Sequence, residues 1–191
     1  MPVAPSDGGA KPAPGIASNS PAVTQESAIA DLPPIKDFTW QGVGGLNVQV
    51  LQGSSPVAGQ PVWRITAVQA NKRHTAVVRI GDFDRNRKYR ITAWVKPQSA
   101  ANFEIEASDH ASSGASYAAG VFNLTDHSTS GPGSPSTAPG PDGWQKVSVD
   151  LPTQTGFFIV AFYILKGGAL DYAGDGILGI TLGAITVEPL S

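Results

Sequence analysis

From Phe38 onward the sequence is cut at short intervals: runs rich in Val, Ile, Thr and aromatic residues alternate with clusters of Gly, Pro, Asn and Asp. β-Branched and aromatic side chains fit a pleated, half-buried surface, and Gly and Pro interrupt the ladders between them. No segment carries an apolar stripe at the helical period, so the pattern reads as strands and turns. Strands are expected at 38–42, 46–52, 62–69, 75–81, 88–96, 102–109, 116–124, 144–151, 157–165 and 182–189. Some of these runs alternate and others are apolar throughout, which predicts an all-β fold, an antiparallel two-sheet β-sandwich of jelly-roll type. The continuously apolar "FFIVAFYIL" at 157–165 belongs at the centre of a sheet.

Residues 1–35 have a different character. Their Pro, Ala, Gly and Ser content cannot bury enough apolar area to offset the entropy of ordering, which predicts a flexible N-terminal arm or linker and a folded domain over 36–191. One helical turn at "TQESAIADL", ended by Pro33 and Pro34, or an arm lying along a partner subunit, are the alternatives for this segment. Its opening, "MPVAPSDGGAKPAPGIASNSPAV", lacks the basic start and continuous apolar stretch of a secretory signal. Export by another route, or origin as a piece of a longer protein, is expected, with an extracellular location or one on the surface of an assembly.

Composition removes several classes of function. At 191 residues with 41% hydrophobic side chains, the chain can build one ordinary domain and its core. The net charge is -2 and the 13 Lys and Arg residues are scattered, so nucleic acid is not an expected partner. No apolar run reaches spanning length, and membrane insertion is not expected. The absence of cysteine excludes disulfides, thiolate metal sites and a cysteine nucleophile together.

The stretch "YRITAWVKP" at 89–97 alternates Tyr89, Ile91, Ala93 and Val95 with Arg90, Thr92, Trp94 and Lys96. If the first set fills the core, Trp94 points with two cations to the opposite face. The next run places Glu104 and Glu106 on one face and Phe103, Ile105 and Ala107 on the other, and Tyr117 follows the turn. Sugars present apolar C–H faces ringed by hydroxyls, so an aromatic plane among charged side chains suits them. Arg90, Trp94, Lys96, Glu104, Glu106 and Tyr117 are therefore the candidate ligand-binding residues, forming a polar bowl with aromatic walls. The bland alternative is that a loop covers Trp94 and that Arg90, Glu104 and Glu106 form cross-strand ion pairs on a solvated sheet.

"YRITAWVK", then "GWQKVSVDL", an apolar strand and a closing "ITLGAITVEP" resemble, in this order, the carbohydrate-binding modules of the galactose-binding-like jelly-roll group. The resemblance covers 36–191 and implies a non-catalytic, lectin-like domain that binds a polysaccharide or glycan. Two departures stand out: "DRNR" replaces the group's usual Pro-Gly before Tyr89, and the paired Asp before the last strand is missing. The second bears on the group's structural calcium. No cofactor is expected; Asp171 and Asp175 in "DYAGDG" could ligate calcium but are equally turn residues.

Other motifs read as turns. "GDFDRNR" spaces Asp82, Asp84 and Asn86 like a calcium loop without its later Gly and Glu. His74, His110 and His127 lack metal-site spacing and read as loop residues, and no GxSxG supports a Ser-His-Asp arrangement. Glu104 and Glu106 point in parallel from one strand face, whereas glycoside hydrolysis needs carboxyls facing each other across the substrate. "TDHSTSGPGSPSTAPGPDG" at 125–143 is rich enough in Pro and Gly to be expected outside the sheets. Besides a glycan-binding domain, a second class stays open: a structural or attachment protein of a virion, fibre or cell-surface assembly, packing against copies of itself.

Overall fold

The computed structural model describes residues 40–53, 55–81, 87–108, 117–151 and 157–190, with the side chains of 40–43, 79–81, 117, 157 and 158 left aside. All of them belong to one compact unit, 31–191. The arm expected over 1–35 and the turn at 82–86 lie outside the described residues, as does His110.

Fourteen strands are described: β1 (Trp40–Gly44), β2 (Leu46–Leu51), β3 (Val62–Ala67), β4 (Asn71–Arg73), β5 (Thr75–Gly81), β6 (Lys88–Pro97), β7 (Asn102–Ser108), β8 (Tyr117–Asn123), β9 (Thr129–Ser130), β10 (Ser136–Pro139), β11 (Gln145–Leu151), β12 (Phe157–Leu165), β13 (Asp171–Ala173) and β14 (Gly179–Leu190). They pair into two six-stranded antiparallel sheets, β1-β5-β12-β7-β8-β9 and β10-β11-β6-β14-β3-β2, with β13 and β4 as a separate two-stranded ribbon. The fold is a β-sandwich, as the sequence predicts.

The alternation on β6 explains how the sandwich closes. Ile91, Ala93 and Val95 are fully buried and share one core with Phe103, Ile105 and Ala107 of β7, in the opposite sheet. Phe103 lies between Phe122 and Phe162, at centroid separations of 6.2 and 6.1 Å. β12 is interior in its sheet, and its apolar run has a reason on each face. Val160, Phe162 and Ile164 fill the core, while Ala161, Tyr163 and Leu165 form a second buried cluster with Val77, Val121 and Leu170.

One expectation is corrected. The Pro- and Gly-rich segment 125–143 is not outside the sheets: β9 pairs with β8 at the edge of the first sheet and β10 with β11 at the edge of the second. Both are edge positions, where proline's missing N–H costs no ladder bond, so the segment passes from one sheet to the other. His74, expected in a loop, is the single residue linking β4 and β5, and it is fully buried there. Its Nδ1 lies 2.5 Å from the Gly45 carbonyl and its Nε2 3.1 Å from that of Tyr172, whose ring stacks on it at 4.2 Å. His127 does sit in an exposed turn, with φ 62°.

Candidate functional site

The six residues singled out from the sequence do not form one bowl. Arg90, Trp94 and Lys96 project from the outer face of the second sheet. Glu104 and Glu106 project from the outer face of the first, because Phe103, Ile105 and Ala107 occupy the shared core. The sandwich separates the two groups. Tyr117 opens β8 opposite Ser108, and its side chain lies outside the described ones.

Each residue has a definite environment. Arg90 donates from Nε to Asp150 Oδ1 at 2.6 Å across the β6–β11 register, and this bond is the main reason its guanidinium holds its proton more tightly. Trp94 is half-buried, with its ring against Gly140; a Cβ at that position would stand 2.3 Å from Trp94 Cζ3, so only glycine admits the indole there. The turn after β10 thus covers part of Trp94.

On the far sheet Glu104 is buried between Tyr163 and Val121. Burial raises its carboxyl above the ordinary range, Glu106 raises it further and Arg73 offsets part. The same environment raises the Tyr163 phenol, burial first and Glu106 second. The two carboxylates stand side by side on one strand. Asp175 behaves as a turn residue: its Oδ1 accepts from the Ile177 and Leu178 amides at 2.8 and 2.7 Å. Asp171 pairs with Arg73 at 3.3 Å. Among the described residues no group of three or more His, Asp or Glu is gathered closely enough to hold a metal, and no helix is long and apolar enough to cross a membrane.

Among the described residues, a groove of about 390 Å³ on the outer face of the second sheet gathers polar and apolar side chains. Strand pairing builds it. β14 lies between β3 and β6, and its Thr181 is opposite both Arg64 and Lys96, while Gln49 of β2 is opposite Arg64. Gln49, Arg64, Thr181 and Lys96 therefore form one row across four strands. Gln98 donates from Nε2 to Thr181 Oγ1 at 2.9 Å. Beside this row runs an apolar one: Leu51 of β2 is opposite Val62 of β3, and the Trp144 indole lies over Gly183 of β14, whose added Cβ would stand 3.1 Å from its ring. Trp144 is 8% exposed and gives the groove an edge rather than an open plane. Asp142, in the 3-10 turn Pro141–Gly143, stands at the rim.

Of the six candidates, only Lys96 lines this groove. Arg64, Thr181 and Trp144 were passed over, although the same parity argument applies to them. In "VWRITA" the core takes Trp63, Ile65 and Ala67, leaving Arg64 outward, and in "GWQKVSVDL" it takes Val147, Val149 and Leu151, leaving Trp144 on the side of Lys146.

No family model matches the chain, and no curated protein does. Among solved structures it is similar to the N-terminal endo-1,4-beta-D-xylanase 10B modules of Clostridium thermocellum complexed with xylohexaose, at 11% identity and a TM-score of 0.49, over 80% of this chain and 26% of that one. It is also similar to the CBM22-1 xylan-binding domain of Paenibacillus barcinonensis Xyn10C, at 11% identity and a TM-score of 0.45, over 83% and 92%. A third is the enzymatically active domain of tailspike protein 4 of bacteriophage CBA120, at 12% identity and a TM-score of 0.45, over 82% and 20%. Carbohydrate-binding modules thus stand among the structural neighbours, and at these identities and scores nothing about this chain's ligand follows from them.

Proposed function

We propose that the domain is a non-catalytic glycan-binding domain whose ligand lies in the groove on the outer face of the second sheet. What supports the reading is the juxtaposition of two rows: Leu51, Val62 and the edge of Trp144 on one side, and Arg64, Thr181 and Lys96 on the other. A sugar ring needs this pairing, an apolar surface for its C–H face and directed polar groups for its hydroxyls. The volume is in the range of small-ligand sites, about 300–1,000 Å³. The non-catalytic part of the proposal is supported by the arrangement of Glu104 and Glu106, parallel neighbours on one strand rather than carboxyls facing across a cleft.

A glycan array probed with the full chain tests this. The parent is expected to bind at least one class of oligosaccharide, and Thr181→Val, which removes the central hydroxyl, to weaken binding roughly tenfold. A folded parent that binds no glycan contradicts the proposal.

A further inference from the structure

We infer that the glycan bound in this groove is acidic, carrying carboxylate or sulfate groups along its chain. The inference rests on the glycan-binding reading above and goes beyond it to the class of sugar. Its basis is the imbalance of donors and acceptors. Arg64 and Lys96 flank Thr181 in one row. Adjacent strands are spaced by about 4.8 Å, so the two cations stem from backbone positions roughly 10 Å apart. Among the described residues neither has an ion-pair or hydrogen-bond partner. Two other arginines are matched, Arg73 by Asp171 and Arg90 by Asp150, whereas Arg64 and Lys96 stand unmatched in one row.

Guanidinium and ammonium groups only donate. A neutral sugar hydroxyl both donates and accepts, and is best met by a mixture of groups. Here the amide nitrogen of Gln98 donates to Thr181, its oxygen and the Gln52 amide are the neutral groups of the groove, and the one carboxylate lining it, Asp142, sits exposed at its rim, so the charged groups within the row are both donors. A row of charged donors beside an apolar wall suits a sugar whose substituents only accept. Carboxylate and sulfate esters do, and charge-assisted hydrogen bonds to them are shorter and stronger than neutral ones. The chain as a whole has net charge -2, so two unmatched cations in one groove are a local feature rather than an overflow of general basicity.

The test titrates the full chain with three probes: a galacturonate oligosaccharide, its carboxyl-reduced neutral counterpart of the same length, and a sulfated galactose oligosaccharide. The expected result is that one or both acidic probes bind at least about tenfold more tightly than the neutral one. The preference should shrink as salt rises and the screening length falls toward about 3 Å at 1 M. Arg64→Gln and Lys96→Gln should each reduce the ratio of acidic to neutral affinity, and the double variant should bring it close to one. Lys166→Gln, an exposed cation on the turn after β12, should leave the ratio as it is. An unchanged melting transition in each variant confirms that the fold persists. Equal binding of acidic and neutral probes, or binding of none of the three while the array shows another, neutral glycan bound, overturns the inference and leaves the glycan-binding proposal standing; a folded parent that binds no glycan on the array removes both. Equally tight binding of inorganic polyphosphate also overturns it, because the groove would then read charge without reading sugar.

Discussion

Arg90 and Asp150 form a charge-assisted hydrogen bond of 2.6 Å across neighbouring strands β6 and β11. Both side chains are about one-third exposed, 35% and 29%, so solvent screens the pair. The bond occupies the residue that the sequence offered as a sugar partner. Arg90→Gln is expected to leave glycan affinity unchanged and to cost about 0.5–1 kcal/mol, read from urea denaturation beside a binding titration. A loss of affinity without a loss of stability would return Arg90 to the binding surface.

The two tryptophans on the same outer face should behave differently. Trp144 is buried over Gly183, and its truncation to alanine is expected to cost about 3–5 kcal/mol. Trp94 is only partly buried against Gly140, and Trp94→Ala is expected to cost less than Trp144→Ala, since part of the Trp94 ring stays in solvent on folding. Denaturation curves of the two variants check the order. A larger cost for Trp94 would mean that the turn at 140–143 covers it completely.

Glu104 sets a pH dependence whose direction is fixed by its environment. Burial, and then Glu106, hold its carboxyl above the ordinary value of 4.5, so the folded protein favours the protonated form. The stability tied to that proton is full below the unfolded pKa and is lost as pH rises through the higher folded one. Glu104→Gln should therefore be more stable than the parent at about pH 7 and should lose that advantage at about pH 3.5. Melting temperatures of the two proteins across this range decide it, and a variant less stable than the parent at neutral pH would contradict the argument.

His74 ties three elements together through the carbonyls of Gly45 and Tyr172 and the stacked Tyr172 ring. Its removal leaves buried carbonyls without that partner. His74→Ala is expected to cost about 2–4 kcal/mol in a chemical denaturation experiment. A change below about 0.5 kcal/mol, the level of an ordinary surface substitution, would show that these contacts contribute little.

Much of the fold was legible because alternation and apolar runs are local. Phe157–Leu165 and Thr75–Gly81 coincide with their expected strands, and most others differ by a residue or two at their ends. The strands missed were β4, β9, β10 and β13, each of four residues or fewer, too short for a period to show. Parity also placed Trp94 and Glu104 correctly outward. What parity cannot tell is which outer face a strand belongs to. That depends on strand order, set by long-range pairing, and it put β6 and β7 in opposite sheets although they follow one another in sequence. The same long-range order put Arg64 and Lys96 into one row through β14, a strand more than eighty residues beyond either.

The central claim is that a glycan occupies the groove beside Thr181, and backbone amide NMR of the full chain during titration with an acidic oligosaccharide tests it most directly. The account predicts saturable shifts at Arg64, Lys96, Gln98 and Thr181, with Glu104, Glu106 and Tyr163 on the opposite face unmoved. Shifts confined to that opposite face, or none with any glycan, would contradict it.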